Sequence, residues 1–372
     1  LIPFISKFKD ITIRMNLITY RRISSGIFKI KNFPKYVPKI PATITKKTIG
    51  LTGSKVYDAT TAANSSDLSL TGLVGSETLT LSGSGTLASS SVGTGKTITL
   101  NTLAISDGSG LASNYDLSGA VTMDVTERAV TASGSRVYDG TTTINGTDLT
   151  TISNLAGADT LSVTGAGTAT ANVGNGKSVT LGSLALASGS GNASNYSLSS
   201  ATVNITERPL DLEASRIYDG TTTASSGNLT LSNLIGSETL TLSGNGTLAN
   251  ANVGTNKSVT LNSLSIANGT NGGLAANYIL AGGTHQLTVV QRVVSASGTR
   301  LYDASTNANF SDLSLGNLVG SETLVLSGDG TLADKNVASN KTIGVGTLSI
   351  ANGGGGGLAA NYTLTGGTHL LT

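Results

Sequence analysis

Beyond residue 50, apolar and polar residues alternate with a period of two. Leu240 and Leu242 alternate with Thr239 and Thr241, Val259 and Leu261 flank Thr260, and Leu287 and Val289 flank Thr288. Alternation of this kind, bounded by Gly, Asn and Ser, predicts short half-buried strands. Between residues 207 and 290 the pattern predicts strands at Leu210 to Ala214, Leu229 to Leu234, Thr239 to Leu242, Gly246 to Ala249, Ser258 to Ile266, Tyr278 to Leu280 and Gln286 to Val290. No window carries a helical apolar stripe, and the load of Thr, Ser, Gly and Asn disfavours helix.

The pattern also recurs on a longer scale. Val56-Tyr57-Asp58-Ala59 returns as Val137-Tyr138-Asp139-Gly140, Ile217-Tyr218-Asp219-Gly220 and Leu301-Tyr302-Asp303-Ala304, at spacings of 81, 80 and 84 residues. Each copy continues with a Leu/Thr segment holding Glu77, Asp159, Glu238 or Glu322, then a lysine (Lys96, Lys177, Lys257, Lys341), then an Asn-Tyr pair ending at Tyr115, Tyr196, Tyr278 or Tyr362. The two tyrosines of a copy lie 58, 58, 60 and 60 residues apart, so nearly all the length variation within a copy falls in the Gly/Ser/Asn run before the second. That run reads as a loop, because loops tolerate insertion where strands do not. A feature repeated in tandem is architecture more often than a catalytic site.

The expected fold is all-β: a tandem array of four small Ig-like β-sandwich repeats, or β-grasp-like ones, of about 80 residues each. A parallel β-helix is the alternative. The repeats are placed at 42–126, 127–206, 207–290 and 291–372, the fourth truncated at its last strand. Val125-Thr126-Glu127-Arg128, Ile205-Thr206-Glu207-Arg208 and Val290-Gln291-Arg292 run the last strand of one copy into the first of the next with almost no linker, which predicts a semi-rigid rod. Thr45-Lys46-Lys47 stands in the same relation to Tyr57, so Ala42 to Ile44 reads as the closing strand of an earlier copy and the chain as a slice of a longer array.

Composition narrows the core. The repeats lack Trp and Cys, and Phe310 is the only aromatic after residue 50 besides the eight recurring tyrosines. Those tyrosines are expected to anchor the cores, each burying its ring while the hydroxyl finds a partner. Without cysteine there are neither disulfides nor thiolate metal sites. Residues 51–372 hold twelve Lys/Arg against twenty Asp/Glu, a balance that does not favour nucleic acid. Residues 1–41 match no part of the repeat and are read as a basic, poorly ordered segment; a patch of Phe8, Arg14, Tyr20, Arg21, Arg22, Lys29, Lys31, Lys35 and Tyr36 gripping nucleic acid or anionic lipid is the rival reading. They contain neither the apolar stretch of a signal peptide nor a membrane span.

Candidate chemistry is sparse. His285 and His369 occupy equivalent Gly-Gly-Thr-His positions with no second ligand nearby, and read as polar residues starting the last strand. Asp58, Asp139, Asp219 and Asp303 suit calcium at domain joints or, without an acidic loop, an Asx turn onto the residues that follow. A Lys–Asn crosslink assisted by a carboxyl group would use Lys96 with Glu77 and Asn114, Lys177 with Asp159 and Asn195, Lys257 with Glu238 and Asn277, and Lys341 with Glu322 and Asn361, provided the lysine is buried. Its Gly/Asn/Thr setting predicts exposure instead. Asn145, Asn204, Asn228 and Asn268 begin sequons, which composition alone accounts for. No catalytic, cofactor-binding or metal residue is assigned.

The sequence Val-Tyr-Asp-Gly-Thr-Thr-Thr, the following Gly-Ser-Glu-Thr-Leu-Thr-Leu-Ser-Gly, Asn-Val-Gly-x-x-Lys, Asn-Tyr-x-Leu and the closing Val-x-Ile-Thr-Glu-Arg resemble, over residues 42–372, the YDG-type repeats of large bacterial surface proteins, including filamentous-haemagglutinin-like adhesins of two-partner secretion. Ala59 and Ala304 depart from the glycine after Asp; if that position needs a positive φ, both turns are strained or differently shaped. The resemblance implies a secreted protein at the bacterial outer surface. The expected role is a non-catalytic stalk or spacer segment of an adhesin, its partners the neighbouring repeats of a longer chain. The alternative is a binding module whose loops, Gly269 to Asn277 and Gly353 to Asn361, contact host glycan or protein.

Overall fold

A computed structural model describes residues 43–372, so the basic segment 1–41 and its rival readings lie outside the described residues. Every regular element among the described residues is a strand or a single 3-10 turn. The second copy shows how the pieces fit. Its first strand, Arg128–Val137, lies parallel to its last, Tyr196–Thr206, in register from Arg128 opposite Tyr196 to Val137 opposite Thr206, with one bulge after Val130. Thr151–Ser153 pairs antiparallel on one side of that central pair and Gly174–Val179 on the other, which makes a four-stranded mixed sheet. Parallel neighbours require a long crossover, and here the body of the copy supplies it.

Two antiparallel pairs complete the unit: Thr143–Asn145 with Ala166–Thr168, and Leu161–Thr164 with Ala185–Ser188. Equivalent pairs recur in the other copies, for instance Leu240–Ser243 with Ser265–Asn268 and Leu324–Ser327 with Ser349–Asn352. The alternation does the work foreseen for it. Along Tyr196–Thr206 the side chains of Ala201, Val203 and Ile205 are buried and meet Ala132, Ile144, Val163 and Val179 in one core. Neighbouring copies are joined through a single residue: Glu127 between Thr126 and Arg128, Glu207 between Thr206 and Arg208, and Gln291 between Val290 and Arg292.

Three strand expectations need correction. The run Ser258 to Ile266 is not one strand but the end of Gly254–Ser258, a turn, and Ser265–Asn268. The alternation slips by one residue at the turn: Leu261 and Leu264, three apart, both pack on the core, and Asn262 between them adopts a left-handed φ of 44°. Thr223–Ser225 was not foreseen, since its inward residue, Ala224, is too small to mark an apolar position although it is wholly buried. No strand forms at Thr43 to Lys46, where Ile44 is 97% exposed with no core facing it; Ala42 is outside the described residues.

The third copy also breaks its first strand, into Arg208–Pro209, Asp211–Glu213 and Ser215–Ile217. At the equivalent Gly134 a Cβ would sit 1.8 Å from the Asp148 carbonyl oxygen. Ala214 stands at that place in the third copy, and Pro209 removes an N–H from the ladder nearby.

Candidate functional site: the joint between repeats

The recurring tyrosines were expected to anchor the core of their own copy. The structure places six of them, all but Tyr115 and Tyr302, where copies meet. Tyr57 of the first copy packs edge-on against Tyr196 of the second, with ring centroids 5.2 Å apart and an interplanar angle of 76°. Tyr138 meets Tyr278 at 5.4 Å and 78°, and Tyr218 meets Tyr362 at 5.5 Å and 79°. The T-shaped arrangement sets the positive edge of one ring on the negative face of the other.

The acid of the following copy closes each pair. Tyr138 and Tyr278 donate to opposite oxygens of Glu238, Oε1 and Oε2, both at 2.7 Å. Tyr218 and Tyr362 hold Glu322 in the same way, again at 2.7 Å each. In the first joint the shorter Asp159 receives both hydroxyls on Oδ2, from Tyr57 at 2.9 Å and Tyr196 at 2.6 Å. The hydroxyl of each second tyrosine also accepts a backbone N–H, from Ala156, Ile235 or Val319, at 3.1, 3.0 and 3.0 Å. Burial first, and then the hydrogen bond to the carboxylate, pushes Tyr138, Tyr196, Tyr218 and Tyr278 up to about 12.

A second contact runs beside the tyrosines. The asparagine before each second tyrosine, Asn195, Asn277 or Asn361, is buried and accepts the N–H of Val92, Val173 or Val253 from the preceding copy, at 2.9, 3.0 and 3.0 Å. Asn277 and Asn361 also donate to Asn172 and Asn252, at 3.1 Å each. Arg128 donates to both carbonyl oxygens of Asn154 and reaches back to the Tyr57 carbonyl at 3.3 Å; Arg292 does the same with Asn317 and, at 3.4 Å, with the Tyr218 carbonyl.

The fourth copy shows half of this joint without its complement. Its first tyrosine, Tyr302, is 61% exposed, a correction to its expected role as a core anchor. In the other copies the N–H of Tyr57, Tyr138 and Tyr218 donates to their own last strand, at Thr126, Thr206 and Val290. Among the described residues Tyr302 has neither that bond nor a tyrosine and acid from a following copy. Val337, the counterpart of Val253, is exposed too, and an open pocket of about 310 Å³ lies between Leu301, Tyr302, Asp303, Asn336 and Val337.

The other candidates resolve into local structure. The Asp of each Tyr-Asp makes an Asx turn: Asp58, Asp139, Asp219 and Asp303 accept the N–H of Thr60, Thr141, Thr221 and Ser305 at 2.9 Å. Each is also paired with the cation three residues before it, Lys55, Arg136, Arg216 or Arg300. Burial works to raise the carboxyls of Asp58 and Asp139, but these hydrogen bonds and cations outweigh it and hold both below the usual value. Ala59 and Ala304 retain the left-handed turn, with φ 65° and 61° against 75° and 76° at Gly140 and Gly220.

His285 and His369 directly precede Gln286–Val290 and Leu370–Leu371. The Ala296 N–H donates to His369 Nδ1, so Nε2 carries the hydrogen and donates to the Leu364 carbonyl at 2.9 Å. No His, Cys, Asp and Glu cluster among the described residues could hold a metal ion. The crosslink trio is pulled apart: Lys257 binds carbonyls of Asn250 and Asn252 in its own hairpin, Glu238 holds the tyrosine pair, and Asn277 reaches into the preceding copy. The tyrosines, acids and asparagines of each joint all recur in the sequence, but each joint draws them from two copies rather than one.

The YDG domain family model matches the chain four times, at residues 37–124, 121–203, 206–286 and 283–369. No curated protein matches the chain.

Proposed function

We propose that this chain, which belongs to the YDG domain family, is a stalk or spacer segment of a bacterial secreted or cell-surface adhesin, its repeats acting through length and stiffness without catalysis. The observation that carries the reading is the joint, built three times from the same groups: a tyrosine pair on one carboxylate, a buried asparagine reaching back, and a single linking residue. Copies fixed to one another at two sites, with one residue between their strands, resist bending. Most tyrosines of the repeats are buried in these joints and offer no stacking face to a glycan, which favours a spacer over a binding module.

Within this reading each copy is a separate β-sandwich, or a β-grasp-like unit, as its own first and last strands pairing with each other suggest. Small-angle scattering on residues 42–372 tests it. Four beads end to end extend to ~150 Å on strand dimensions. A continuous β-helix of the same residues spans ~77 Å at its rise per coil, and a maximum dimension near that value overturns the proposal.

A further inference from the structure

One pair of residues in each joint varies together. At the second joint, a Cβ on Gly140 would lie 2.7 Å from Ile235 Cγ2, and at the third, a Cβ on Gly220 would lie 2.7 Å from Val319 Cγ1. Both distances are closer than carbon atoms approach, so a methyl after Tyr-Asp would force the facing side chain to shift. The first joint departs on both sides at once. Ala59 replaces the glycine, and Ala156, buried, replaces the large residue opposite. The Ala59 methyl lies over the Ala156-Gly157 turn, 3.6 Å from where a Cβ on Gly157 would stand. The volume added on one face is removed from the other.

We propose that the residue after Tyr-Asp and the residue three places before the acid form a size-matched pair that selects which repeat stacks on which. Glycine accepts Ile or Val, and alanine accepts alanine. Close packing makes the match strict, because an extra methyl facing a branched side chain has nowhere to go. Ala304 stands at the same position as Ala59, and the match pairs it with alanine rather than with a branched residue such as Val74. The inference rests on geometry within the joints and holds whether or not the array serves as a spacer.

Amide hydrogen exchange on the full chain tests it joint by joint. The Val173 N–H, held by Asn277, reports the second joint; Val92 and Val253 report the first and third. Gly140→Ala is expected to speed exchange at Val173 on the order of tenfold while leaving Val92 and Val253 unchanged, which also shows that the chain is folded. In an Ile235→Ala background the same Gly140→Ala change is expected to have little further effect. The left-handed strain at residue 140 is present with the joint open or closed and drops out of this comparison. Reciprocally, Ala156→Ile should speed Val92 exchange and Ala59→Gly should reverse it. An equal Gly140→Ala effect with and without Ile235→Ala overturns the size match.

Discussion

Tyr218 and Tyr302 stand in the same motif eighty-four residues apart, yet Tyr218 is 3% exposed and Tyr302 61%. What separates them is the company each keeps. Tyr218 has Tyr362 against its ring and Glu322 on its hydroxyl, both from the next copy, and its N–H bonded to Val290 of its own last strand. Burial of a copy's first tyrosine therefore depends on the joint, whereas a second tyrosine is buried on its own copy's acid, as Tyr115 on Glu77 shows at 3% exposure. Stability in such an array is a sum of repeat and interface terms, and here the interface holds the largest side chains.

The broadest way to break the distinction is alkaline pH, which acts on all three joints together. Tyr138, Tyr196, Tyr218 and Tyr278 are pushed up to about 12 in the folded chain against 10.0 ordinarily. A folded-state value above the unfolded one means that the stabilisation is complete below pH 10 and is lost as pH rises toward 12. Melting temperature should fall across that window, with tyrosinate absorbance rising as the joints open. An unchanged melting temperature between those pH values would break the link between tyrosine burial and joint stability.

Next in size is truncation of one ring. Tyr218→Ala should cost about 3–5 kcal/mol in chemical denaturation, the range for emptying a buried aromatic site. Tyr302→Ala should stay within about 0.5 kcal/mol, as for an exposed position. Equal costs would place the tyrosine's contribution inside the copy. Removing the acid comes below this: Glu322→Ala strands two buried hydroxyls and should cost about 2–3 kcal/mol. Glu77→Ala, whose carboxylate receives only Tyr115 among the described tyrosines, should cost less.

Much of the joint was already present in the sequence, but as separate parts. The tyrosines, the acid and the asparagine recur at fixed offsets, and the period-two pattern located most strands. What the offsets could not disclose is which copy each group serves. Tyr57 finds Asp159 at a separation of 102 residues, Tyr138 finds Glu238 at 100, and Tyr218 finds Glu322 at 104, and in an array of near-identical units the in-copy acid is an equally plausible partner. One signal pointed across the boundary. Ala59 departs from the pattern in the first copy, while Ala156 and Asp159 depart from it in the second, and those three residues meet in one joint. The strand around Ala224 stayed hidden because alanine alternating with Thr and Ser carries too little apolar contrast.

The asparagines give the finest version of the comparison, because among the described residues the same position is seen both with and without a partner from a preceding copy. Asn361 is buried, accepts the Val253 N–H at 3.0 Å and donates to Asn252 at 3.1 Å. Asn114 occupies the same place in the first copy and is exposed. Both directly precede a tyrosine that is itself buried. Asn361→Ala removes the acceptor of a part-buried backbone donor and should cost about 1–2 kcal/mol, while Asn114→Ala should be nearly silent. Faster exchange at Val253 alone, with Val92 and Val173 unaffected, would locate the loss at the third joint. A comparable cost for Asn114→Ala would instead mean that the asparagine supports the 3-10 turn before its tyrosine, Ala112–Asn114 in one copy and Ala359–Asn361 in the other, and that joint formation merely covers it.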